Sequence, residues 1–252
     1  MCISVSLYYP SPEGLESKKY LEYYSKVFNY VEIYSTFYQM PNSFMASRWL
    51  KLTPENFRFT AKFPKSITHD KRLRQGIEVG LEYFYKSMSR LARRSLCLLL
   101  QSSPSMGIKE GLKKIENLHH AKKFRYAVNA RHKSWFDEKV YKSFRKNNIC
   151  LVWNQLDAIK APPVLTTDFF YIRFIGDRSI DEKDFGKIQR YRLKELRKWA
   201  KVVNKVEKQV SLGIVPANNH NERFGPATVN GFSKMVGLPE VVWEEMKQAR
   251  PG

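Results

Sequence analysis

Apolar residues along the 252-residue chain follow two alternating rhythms. Short runs rich in β-branched and aromatic residues, bounded by polar clusters, read as strands at residues 3–9, 30–34, 57–63, 95–101, 124–130, 149–153, 169–174 and 210–215. Between them, apolar side chains recur every three or four residues, as at Tyr20, Leu21, Tyr24, Val27 and Phe28 or at Ile77, Leu81, Phe84, Met88 and Leu91. The spacing predicts helices over 17–28, 41–50, 76–93, 107–119, 135–147, 192–206 and 225–236, with a weak or missing helix after the sixth strand.

Such alternation predicts an α/β fold with parallel strands inside and helices outside. Eight repeats in about 250 residues match a closed barrel better than an open sheet, although periodicity alone leaves a doubly wound sheet open. No Ser/Gly/Pro-rich linker divides the chain, so a single domain over residues 1–252 is expected. At 43% hydrophobic and 14% aromatic residues the composition supports a large core.

Charges interrupt the apolar runs. Glu32 sits inside the second strand and Lys62 near the end of the third. Burying a charge without a partner costs several kcal/mol, so each needs compensation. A structural pair bridging two strands would supply it; so would a shared cleft at the strand C-termini, where barrels bind ligands. Collecting the residues at those ends gives Tyr8, Glu32, Lys62, Gln101, Asn129, Arg131, His132, Asn154, Asp157, Arg173, Asn218, Asn219 and His220. The best-formed cleft is expected there, lined by Glu32, Lys62, Arg131 and Arg173. These four are the candidate catalytic residues; Tyr8, Tyr38, His69, Gln101, Asn129, His132, Asn218 and Asn219 are the candidate substrate-binding ones.

The basic balance of that face points to an anionic ligand, with phosphate the simplest. The loops after strands seven and eight carry Gly176 and Arg178, then Asn218-Asn219-His220, Arg223 and Gly225-Pro226 at the start of the last helix. Gly and Asn also serve ordinary turns. The aromatic residues Phe37, Tyr38, Trp49, Trp135 and Trp153 suit base or sugar stacking, or simply packing.

Several stretches resemble a known family. VEIYSTFYQMP, the Trp followed by TPENFRFTAKFP, and SITH are similar to the signature of the YecE-like family, domain-of-unknown-function family seventy-two. LLLQSSPS, YAVNARHKSWF, FYIRFIG, RLKELRKWA and NNHNERFGPAT match in order, so the resemblance covers almost the whole chain. It implies a single TIM-barrel-like α/β domain and leaves the chemistry unassigned. The chain departs from the family in three places. Asn129-Ala130-Arg131-His132 stands where Glu-Phe-Arg-His is usual, Tyr34 replaces an Asn, and Ile175 replaces a His after Arg173.

A formal charge of +20, from 44 Lys and Arg against 24 Asp and Glu, favours polyanionic partners, although the basic residues are scattered along predicted solvent faces. The odd cysteine count and the lack of Cys-x-x-Cys spacing argue against a disulfide framework or zinc ribbon; Cys97 and Cys150 read as core thiols. His69, His132 and His220 follow strands, but there is no His-x-x-x-His pair and few carboxylates accompany them, so no metal is expected. Walker, Gly-x-Gly-x-x-Gly and Gly-x-Ser-x-Gly motifs are absent, and no cofactor is expected. The opening MCISVSLYYP has no basic leader and no apolar run is long enough to cross a bilayer, so a cytoplasmic location is expected and no membrane partner.

Three functions fit these observations. One is a hydrolase or lyase on a phosphate-bearing or nucleic-acid-like ligand, with Glu32 as general acid/base, Lys62 and Arg173 stabilising charge, and Asn218 and Asn219 orienting substrate. The others are a non-catalytic nucleic-acid-binding module and a protein-interaction scaffold.

Overall fold

The structure is a computed structural model that describes residues 2–5, 15–155, 159–175, 192–218 and 225–241. Its strands are β1 (Cys2–Val5), β2 (Tyr30–Ile33), β3 (Arg58–Lys62), β4 (Ser95–Gln101), β5 (Tyr126–Asn129), β6 (Ile149–Leu151), β7 (Trp153–Gln155), β8 (Phe169–Phe174) and β9 (Leu212–Ala217). Their pairings are all parallel, in the orders β2-β3-β4-β5-β6 and β1-β9-β8-β7. The predicted sixth strand is split into β6 and β7 at Val152, whose amide still bonds the Val128 carbonyl at 3.0 Å. β1 packs beside β2, which closes a barrel-like ring.

The helices are α1 (Tyr20–Ser25), α2 (Ser35–Tyr38), α3 (Ser43–Lys51), α4 (Glu78–Met88), α5 (Ile108–Glu116), α6 (Glu138–Lys146), α7 (Leu193–Val206) and α8 (Gly225–Met235). Residues 159–168 hold no helix, as the weak pattern after the sixth strand predicts. The helix predicted from residue 41 starts at Ser43 because the Asn42 side chain caps it, accepting from the Met45 amide at 2.9 Å. The short α2 was not evident in the pattern; its Thr36 hydroxyl donates to the Lys62 carbonyl at 2.8 Å and ties it to the end of β3.

Alternation along each strand sorts the core into two layers. Tyr30, Cys97, Leu99, Ala127, Cys150, Val152, Phe169, Tyr171 and Ile214 pack together inside the ring. Val31, Phe59, Leu98, Val128, Trp153 and Phe170 face outward and pack against the helices. Cys97 and Cys150 are buried free thiols; burial pushes both up, Cys150 to about 12, so neither is a thiolate at neutral pH.

Two glycines on the helical layer should respond oppositely to substitution. A methyl on Gly111 of α5 would meet the indole of Trp135, which is fully buried and fixed by its Nε1 donating to the Met106 carbonyl at 2.7 Å. A methyl on Gly231 of α8 would make only an ordinary 3.9 Å contact with Leu196. Urea unfolding should show Gly111→Ala losing about 1–3 kcal/mol and Gly231→Ala gaining about 0.5–1 kcal/mol.

Candidate functional site at the strand C-termini

The same alternation that fills the ring with apolar side chains turns polar at its last inward position. Two residues beyond Tyr30 comes Glu32, and the pairs Thr60 and Lys62, Leu99 and Gln101, Ala127 and Asn129, Val152 and Asn154, and Tyr171 and Arg173 repeat the step. The registers hold these residues level: Gln101 stands opposite Asn129, and Asn154 opposite Arg173. A polar layer therefore caps the apolar interior, and nearly all of it is buried. Glu32, Asn129 and Asn154 are 0% exposed, Arg173 2% and Lys62 3%.

Charge organises this layer. The Arg173 guanidinium reaches across the ring and its Nη2 donates to Glu32 Oε1 at 2.7 Å, while Lys62 Nζ lies 3.8 Å from the same oxygen. Tyr171 OH donates to Glu32 Oε2 and contacts Tyr30 OH at 3.2 Å, and Tyr30 OH donates to Thr60 Oγ1 at 3.0 Å. Burial opposes ionisation of Glu32, but the charges of Arg173 and Lys62 and the hydrogen bonds from Tyr171 and Arg173 outweigh it and hold the carboxyl below its ordinary range. Burial, with the negative charge of Glu32, keeps Tyr171 and Tyr30 protonated.

Tyr34 covers the pair from the loop side. Arg173 Nη2 also donates to Tyr34 OH at 2.6 Å, and Lys62 Nζ sits 3.6 Å from the centre of the Tyr34 ring. Next to this, Gln101 Oε1 receives Arg131 Nη2 at 3.1 Å, with Lys62 Nζ and Asn129 Nδ2 each at 3.5 Å. Three donors converge on an oxygen with two lone pairs. Asn154 Nδ2 donates to the Ala130 carbonyl at 2.9 Å. Among the described residues, the buried atoms Arg173 Nη1, Asn129 Oδ1 and Asn154 Oδ1 have no hydrogen-bond partner.

The structure thus brings Glu32, Lys62, Arg173, Gln101, Asn129 and Arg131 together. His69 lies at the margin with its ring against Phe37 at 5.0 Å; burial lowers its basicity, Asp70 opposes, and the nearby cations Lys65, Arg131 and Lys62 lower it further, so it is neutral at pH 7. His132 is engaged locally, its Nδ1 accepting from the Ser134 amide at 3.2 Å. Tyr38 is 79% exposed and packs only on Phe37 among the ring contacts described. The Asn218 amide bonds the Phe174 carbonyl at 2.8 Å. Tyr8, Asn219, Asp157, His220, Gly176, Arg178 and Arg223 lie outside the described residues. Trp135 and Trp153 are fully buried and serve packing. Among the described residues no three His, Cys, Asp or Glu side chains converge as metal ligands.

Among the described residues, cavities of about 980 and 500 Å3 open in the helical layer, one beside α4 and α5 and one beside α7. No described helix is long and apolar enough to cross a membrane.

The family described as "Protein of unknown function DUF72" matches residues 4–251. The chain belongs to the DUF72 family. UPF0759 protein YecE of Escherichia coli K12 is 34% identical over 121 residues, 46% of this chain and 43% of that protein, so the match spans under half of its length. UPF0759 protein YunF of Bacillus subtilis strain 168 is 26% identical over 91% of this chain and 90% of its own. DUF72 family crystal structures from Enterococcus faecalis V583 and Thermotoga maritima MSB8 superpose with TM-scores of 0.77 and 0.72, at 20% and 25% identity. Each covers 94% of this chain, and 96% and 98% of the other. Their fold is that of this DUF72 chain.

Removing the central carboxylate should expose the two cations it neutralises. Glu32→Gln should cost about 3–5 kcal/mol at pH 7 in urea unfolding. Because the folded carboxyl is held below its unfolded value, this stabilisation is complete above the ordinary glutamate range and is lost as pH falls through the folded value. The difference between wild type and variant should therefore shrink steadily below about pH 4.3.

Proposed function

We propose that the polar layer binds a small phosphate-bearing molecule that also carries hydroxyl or amine donors. The observation that carries this reading is the unbalanced chemistry of the layer. Among the described residues, Arg173 and Lys62 are buried against the one carboxylate of Glu32, and Arg173 Nη1 is buried with no acceptor. An anion supplies the missing charge and the missing acceptor together. The carbonyl oxygens of Asn129 and Asn154 are acceptors without donors among the described residues, and hydroxyls of the same ligand would satisfy them.

The chemistry open to such a site follows from Glu32. Held ionised by its two cations, it suits accepting a proton or fixing the cations, and does not suit donating a proton near neutrality. A hydrolase or lyase working through two carboxylates would lack its second one here, since Asn129 occupies that position and an amide cannot ionise. The site is accordingly proposed as one that binds well and turns over weakly.

Thermal unfolding in the presence of inorganic phosphate, sugar phosphates and nucleoside monophosphates tests the binding reading. At least one should raise the melting temperature in a saturable way, and Arg173→Met should abolish the shift; no shift from any of them would refute the proposal. Once a substrate is found, Asn129→Glu should raise turnover by about tenfold or more. Equal turnover by the two proteins would leave Glu32 to carry the proton transfers alone.

A further inference from the structure

We infer that α7 and the pocket beside it form a docking surface for single-stranded nucleic acid, which meets the barrel-end layer only at Asn154. α7 carries Lys194, Arg197, Lys198, Lys201 and Lys205, all exposed and at helical spacing along one stripe. Glu195 is its one acidic residue. None of the five cations forms an ion pair with a described residue. From Lys194 to Lys205 the stripe runs about 16 Å, enough to follow several phosphates of one strand.

The cavity of about 500 Å3 opens against this stripe. Three cations, Lys160, Lys194 and Lys198, line it against the single carboxylate of Glu195, and the apolar part of its lining is Ala161, Pro162, Pro163, Trp199 and Val202. Its inner end reaches β7 at Asn154 and Gln155. The walls are set before any ligand arrives. Trp199 stacks on Trp153 at 6.0 Å, Trp153 stacks on Phe170 at 5.3 Å, and the Trp199 indole nitrogen donates to Gln155 Oε1. A rigid apolar slot with a polar end and a cationic mouth matches a base attached to its phosphate.

The alternatives fit less well. A membrane-surface helix presents apolar residues to the lipid, whereas α7 buries Leu196, Trp199, Ala200 and Val203 in the protein and exposes only Leu193 among its large apolar residues. Duplex nucleic acid satisfies the stripe but keeps its bases stacked, so it leaves the slot empty. The inference does not depend on the barrel-end reading, since the stripe residues lie outside that layer and the pocket shares only Asn154 with it.

Fluorescence anisotropy of the full chain with a labelled twelve-nucleotide single strand tests it. Binding should weaken with salt by a log–log slope of about 0.7 per phosphate contacted. It should exceed binding to the matching duplex and to an abasic strand of the same charge. Arg197→Glu with Lys201→Glu should reduce affinity at least tenfold and flatten the slope. Lys109→Glu with Lys113→Glu, the same charge change on exposed sites of α5, should cost less than threefold. Val202→Trp, which fills the slot, should remove the advantage over the abasic strand while the salt slope stays. Melting temperatures of all variants establish that they fold. Equal losses from the α5 and α7 reversals, no preference for bases over the abasic strand, or capture by phosphatidylserine vesicles without binding to the strand would each overturn the assignment.

Discussion

Among the described residues, Glu32 is the one negative charge on which the polar end of the ring depends. Its two oxygens receive a guanidinium, an ammonium and a phenol from β8 and β3, strands that do not neighbour each other in either sheet. Buried ion pairs of this kind add little net stability compared with apolar packing, but losing one partner is expensive. The arrangement therefore fixes geometry more than it strengthens the fold. It holds Arg173 in a single pose across the interior, and through Tyr171 and Tyr30 it joins the charged layer to the hydroxyl of Thr60 below.

Much of this was legible in the sequence, for a physical reason. A charge inside an apolar run is anomalous, so Glu32, Lys62 and Arg173 announce themselves, and a strand period of two places them on the inner face once a barrel is assumed. Tyr171 and Tyr30 carry no such mark, and Tyr34 stands out only as a departure from the family, because a tyrosine in an apolar run is indistinguishable from core until its hydroxyl has a partner. The period offers the signal in retrospect: Tyr171 and Tyr30 each precede a charged residue by two positions on the same face. The open cavities were not legible at all. They arise between α4 and α5 and between α7 and residues 160–163, a matter of side-chain volume across elements that pattern reasoning does not reach. The DUF72 relatives fix the family and the fold, and their names carry no reaction.

The fold separates two kinds of surface that composition alone blurs into one basic total. Inside the ring, cations are few, buried and tied to named acceptors. On α7 they are numerous, solvated and unpaired among the described residues, and their apolar neighbours face inward to Trp153 and Phe170. A scattered count of lysines and arginines cannot distinguish these cases. Helical spacing does, since it alone decides whether five cations make a stripe or a halo.

Tyr34 gives the barrel end an unusual energetic balance. Its hydroxyl accepts from Arg173 and its ring faces the Lys62 ammonium, so both cations already have partial solvation from the protein before any anion arrives. Whatever enters the layer competes with that internal solvation, and the affinity observed is the difference between the two. An asparagine at this position would offer no aromatic face to the ammonium and would leave both cations less well solvated. The tyrosine thus makes the polar end of the ring more self-sufficient, because the protein itself supplies part of the solvation of its two buried cations.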